Sequence, residues 1–186
     1  MTNLQNTFRR FLKESKAVAA IEFALVMPVL ILMTLGGYAS YDLVLTDRAV
    51  NRSSSIVADL TSRSETIDED YGEDLIEIGR SLIGDPANNN ARYDISITSI
   101  SNTFDSDSNY DLVVNWSVAN KPNLELEDED IEDYELPFIP EGESVILVDL
   151  KLRYETAIYS DLFGTMELNE VEVRRPRFVT MVPFEN

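Results

Sequence analysis

The feature that most constrains this chain is an apolar run, Ala17 to Met33, that follows a basic leader and holds a single carboxylate, Glu22. A run of this length is long enough to cross a hydrocarbon core of about 30 Å as a helix. Glu22 is costly in such a place. An ionisable side chain at membrane depth carries a penalty of roughly 2.5 to 3.5 kcal/mol on insertion scales, so it reads as a functional residue in need of a partner. Pro28 removes one backbone hydrogen bond inside the run, a loss that membrane helices tolerate because neighbours re-satisfy the freed groups.

Charge distribution sets the orientation. The chain has 34 Asp and Glu against 15 Lys and Arg, a net charge of -19. Before the apolar run, however, Arg9, Arg10, Lys13 and Lys16 face only Glu14. Lys and Arg flanking a membrane segment stay on the cytoplasmic side, which places the N-terminus inside and the acidic body outside as a single-pass protein. A body this acidic repels nucleic acid and anionic lipid, so nucleic-acid binding is not expected. The chain has no Cys and no His, which removes disulfides, thiolate chemistry, the usual general base and the commonest transition-metal ligand. The expectation is a protein that is not an enzyme and needs no cofactor.

Beyond Gly37 the pattern becomes amphipathic: Leu43, Val50 and Val57 recur at sevens, with Leu60 three further on. The spacing predicts a helix continuing to about Ser62, with an apolar stripe too narrow for full burial. The organisation expected is a leader over 1–17, a transmembrane helix over 18–39, a helical stalk over 40–62 and an acidic extracytoplasmic head over 63–186. Within the head, Asp68 to Gly72 reads as an acidic, turn-prone linker, followed by a short amphipathic helix from Glu73 to Ile83 that Gly84 and Pro86 stop. The period then changes to two: Tyr93, Ile95, Ile97; Leu112, Val114, Trp116, Val118; Ile146, Val148, Leu150, Leu152, Tyr154; and Val171, Val173. One apolar face per strand predicts an antiparallel sheet covered on one side by the helices, an α+β head.

The residues opening the apolar run resemble a known family. Ala19-Ala20-Ile21-Glu22-Phe23-Ala24-Leu25-Val26-Met27-Pro28-Val29-Leu30 is similar to the start of TadE and TadG proteins, minor pilins or pseudopilins of the tight-adherence (Flp) pilus. Gly36-Gly37 and the ending Arg174-Arg175-Pro176-Arg177-Phe178 also resemble that family. The resemblance implies a pilin-like fold and a structural role in pilus assembly for surface adherence. It implies cleavage by a prepilin peptidase between Ala17 and Val18, although Ala17 stands where the family usually has Gly. Glu22 and Phe23 would then be the fifth and sixth mature residues and the assembly and recognition positions. The partners implied are that peptidase, the major pilin, sibling pseudopilins and the assembly platform, at a bacterial inner membrane or in the pilus itself. The cut would also create an α-amine with an ordinary pKa of about 7.7 to 8.0, four residues from Glu22 on one helical face.

Two acidic stretches offer other chemistry. Asp105, Asp107, Asn109 and Asp111 occupy positions 1, 3, 5 and 7 of a loop, as oxygen ligands do in calcium-binding EF-hands. Tyr110 and Trp116 replace the Gly and Glu such a loop requires, and a turn between strands uses the same residue types. The run Glu125 to Glu135 reads as a solvated, self-repelling loop or, functionally, as a docking surface for a basic partner or a diffuse site for divalent ions. The alternative to the pilus reading is therefore a signal-anchored extracytoplasmic binding protein with an acidic, calcium-binding head. A third class, an enzyme secreted after a cut following Ala39, rests on the loose small-residue pattern Gly37-Tyr38-Ala39.

Overall fold

A computed structural model describes residues 15–84, 86, 92–104, 110–155 and 164–185. The fold is α+β: helix α1 (Ser15–Arg63), helix α2 (Glu69–Ile83) and four strands, β1 (Tyr93–Phe104), β2 (Tyr110–Ala119), β3 (Ser144–Glu155) and β4 (Thr165–Arg174). The strands form one antiparallel sheet in the order β2-β1-β3-β4. Two compact units part between Asp42 and Leu43.

The first unit carries the apolar part of α1, where the most apolar stretch has a mean hydropathy of 2.4 and none of it is buried. The helix is long and apolar enough to span a membrane. Two of its hydroxyls are satisfied locally: Thr34 donates from Oγ1 to the Leu30 carbonyl at 2.8 Å and Ser40 from Oγ to the Gly36 carbonyl at 2.9 Å.

In the second unit, residues 43–63 of α1 belong to the same compact unit as the sheet. Val57 and Ala58 are wholly buried, and so are Ser53, Ser54, Thr61 and Ser62. The expected narrow stripe is thus a full packing face. Small hydroxyl residues widen it, because each can return its O–H to a carbonyl: Ser53 to Gly79 at 2.7 Å, Ser54 to Asn51 at 2.9 Å and Thr61 to Val57 at 2.8 Å.

The stretch read as a linker is helical. Asp68 caps α2, its Oδ1 accepting from the Tyr71 N–H at 2.7 Å, and Glu69 and Asp70 complement the positive end of the helix dipole. Gly72 and Gly79 are buried where α2 crosses its neighbours. A Cβ on Gly79 would stand 2.8 Å from Tyr93 Oη, so only glycine permits this approach without a shift. Gly84 ends the helix at φ 79°, a conformation in which an L side chain is strained.

The sheet has two covered faces, not one. On the first, Tyr93, Ile95, Ile97, Ile146, Val148, Leu150 and Leu152 pack with Val50, Val57, Leu75 and Ile76 of the helices. On the second, Ile100, Val145 and Leu147 pack with Leu126 and Ile131 from the acidic segment and with Ile139 just beyond it. A bulge in β2 divides the pattern that read as one alternating strand. Ser99 pairs with Trp116 but Ile100 with Val114, so Asn115 is extra. Trp116 and Val118 therefore enter the first core while Leu112 and Val114 turn to the second. The side chain of Asn115 accepts from Ser101 Oγ at 2.9 Å and donates to Ser99 Oγ at 3.3 Å.

The basic ending is tied to the rest of the head by its arginines. Arg175 donates to the Phe138 carbonyl at 2.9 Å, and Arg177 pairs with Asp59 at 2.5 Å. Beyond them Trp116 Nε1 donates to the Val182 carbonyl at 2.7 Å, and Ile67 pairs in parallel with Phe184. Val182 is wholly buried.

Candidate functional site

The first group of sequence-identified residues lies at the start of α1. The Ala17–Val18 peptide bond lies within α1, close to the first described residue of the helix. Val18 and Phe23 are exposed, at 48% and 59%, and Glu22 is exposed between them. Val18 and Glu22 share a helical face by their spacing. Among the described residues no ion pair or hydrogen bond reaches the Glu22 carboxylate. It is the only charged side chain from Val18 to Tyr41. Pro28 lies inside the helix, as expected, and a Cβ on Gly36 or Gly37 would meet nothing within 4 Å.

The second group is divided. Asp105, Asp107 and Asn109 lie outside the described residues. Asp111 is exposed near the start of β2 and lines a recess with Asp128 and Glu132. Among the described residues no three carboxylates converge closely enough to hold a metal ion.

The third group, the acidic run, differs from the loop expected. It forms a 3-10 helix over Asp128–Asp133 with a reciprocal cap between Glu127 and Asp130, the Glu127 N–H donating to Asp130 Oδ2 at 2.9 Å. Leu126 and Ile131 are buried beneath it, at 7% and 6% exposure, so apolar anchors hold the carboxylates in place. Asp128 Oδ1 accepts from the Val114 N–H at 2.6 Å, and the Leu126 N–H donates to Ser117 Oγ at 3.0 Å.

Between this segment and the sheet lies a cleft of about 170 Å³. Asp149, on β3, is 6% exposed and accepts from Tyr134 Oη at 2.7 Å and from Lys151 Nζ at 2.9 Å. Burial first, then the hydrogen bond to Asp149 and its charge, hold the Tyr134 hydroxyl well above its ordinary pKa. Sequence periodicity missed Asp149 because it was read as the outward residue of an alternating strand. The unbroken Val145-Ile146-Leu147-Val148 just before it carried the signal that this end of the strand is buried on both faces.

Comparison with protein-family models, with curated proteins and with solved structures finds no match to this chain.

Proposed function

We propose that the chain is a single-pass minor pilin or pseudopilin of the TadE/TadG type, taking part in assembly of a tight-adherence pilus. Glu22 carries this reading: a lone carboxylate without a partner among the described residues, one turn inside an exposed apolar helix. In a membrane such a group is stabilised by a cation at the same depth. A cut between Ala17 and Val18 supplies one as an α-amine, either in the same chain or in a neighbouring subunit packed alongside. The exposed apolar surface around Glu22 would be the assembly surface, with prepilin peptidase, major pilin, sibling pseudopilins and the assembly platform as partners. The acidic head would stand outside the inner membrane.

N-terminal sequencing of the protein from cells with an active prepilin peptidase tests the reading. Val18 as first residue supports it; an intact Met1, or a start at Ser40, refutes it. Glu22→Ala is expected to remain membrane-inserted while pilus assembly or partner binding falls, and normal piliation in that variant would remove the role assigned to the residue.

A further inference from the structure

We propose that the cleft between the acidic segment and the sheet is a receptor site for an arginine side chain of a basic protein partner. The inference is independent of the pilus reading. Glu125, Asp130, Asp133 and Asp149 line the cleft together with Asp94, which is already paired with Lys121 and Arg153, and Lys151 is the one cation in the lining itself. Carboxylates alone would not make a site, since an acidic surface on a chain of this charge is ordinary. What marks this one is Asp149, which is 94% buried by its 6% exposure and whose Oδ1 has no hydrogen-bond partner. Tyr134 and Lys151 both serve Oδ2, so the second oxygen of a buried carboxylate lacks the donor it needs. Leaving a buried acceptor without a donor is costly, and more so for a charged group.

The shape of the charge distribution selects the occupant. No three carboxylates among the described residues converge on one point, which disfavours a compact divalent ion. A guanidinium instead presents five donors across a plane and meets several separated carboxylates at once. The rim suits a basic segment continuing past the cleft. None of the carboxylates from Glu125 to Glu135 forms an ion pair among the described residues. The buried Leu126 and Ile131 hold that rim in one conformation, which lowers the ordering cost of binding. Lys151, half-exposed on its own side chain, is an internal competitor for Asp149 that an incoming arginine displaces from the mouth.

The test uses the full chain in detergent and two labelled peptides of equal charge, one alternating arginine with glycine and the other lysine with glycine, followed by fluorescence anisotropy at physiological salt. The arginine peptide is expected to bind about ten-fold more tightly than the lysine peptide. Asp149→Asn should abolish that preference, while a Glu127→Gln, Glu129→Gln, Glu132→Gln triple variant weakens both peptides alike. Equal binding of the two peptides, or an unchanged preference in Asp149→Asn, overturns the proposal in favour of diffuse attraction. If Asp149→Asn does not fold, Lys151→Gln decides: arginine-peptide affinity raised about three-fold sustains the site, and unchanged affinity overturns it.

Discussion

Replacing Gly79 by Ala tests the packing of α2 on the first core. In an exposed helix the change would be favourable, since Ala exceeds Gly in helix propensity by about 1 kcal/mol. At this position the added Cβ would lie 2.8 Å from Tyr93 Oη, 3.1 Å from Val57 Cγ2 and 3.3 Å from Ser53 Oγ. All three neighbours are buried with no exposed area, and the Tyr93 ring is rigid, so the contact cannot be relieved by turning one side chain into solvent. Overpacking of this kind costs about 1 to 3 kcal/mol. Displacing α2 also weakens the 2.7 Å bond from Ser53 Oγ to the Gly79 carbonyl, a further loss of about 0.5 to 1.5 kcal/mol. The balance is a destabilisation of about 0.5 to 3.5 kcal/mol, read as a melting point lowered by several degrees. Trp116, the sole tryptophan and 8% exposed, reports the transition by fluorescence in the full chain. Gly36→Ala, where a Cβ meets nothing within 4 Å, is the control and should leave that transition in place. A Gly79→Ala protein melting at or above the unsubstituted chain would refute the packing argument.

Two further outcomes follow from the head. Truncation after Arg177 removes the bonds from Ser144 N–H to the Thr180 carbonyl at 3.0 Å and from Trp116 to the Val182 carbonyl at 2.7 Å. It also removes buried Val182, and the expected loss is several kcal/mol. Trp116 emission should shift to the red, and retention of the blue emission would show this segment to be dispensable. The second outcome concerns alkaline pH. Burial, partly opposed by Arg80, holds the Tyr93 hydroxyl above its ordinary value near 10, and Tyr134 is raised likewise by burial and by Asp149. The folded state therefore keeps both protons where the unfolded chain releases them. Stability is full below about pH 10 and falls as pH rises further. Urea unfolding between about pH 9 and pH 11 should show that fall, with a shallower slope in Tyr134→Phe; an identical slope in the two proteins would contradict the assignment to Tyr134.

The sequence alone determined what local pattern can determine: one long apolar helix near the N-terminus, a shorter helix ending at Ile83 and Gly84, four strands at the period-two stretches, and hence an α+β fold. Periodicity reports which residue types alternate, but it cannot report what lies opposite them. Leu112, Val114, Trp116 and Val118 alternate without interruption, yet the bulge at Asn115 divides them between two cores. Ser53, Ser54, Thr61 and Ser62 look solvent-facing, yet they are buried because their hydroxyls find carbonyls within one turn or on α2. Asp68 to Gly72 looks like a linker until the cap at Asp68 turns it into the start of α2. The acidic run is the sharpest case. Its charge density predicts a solvated loop, whereas its own Leu126 and Ile131, with Ile139 just beyond it, fold it over the second face of the sheet. Only the tertiary structure could decide this, because the hydrophobic gain from those residues exists only where Ile100, Val145 and Leu147 leave a face for them to cover. The same contact forms the cleft in which Asp149 is buried. Glu22, by contrast, stood out from sequence alone, since the cost of a charge in an apolar helix depends on its immediate surroundings and not on the fold of the head.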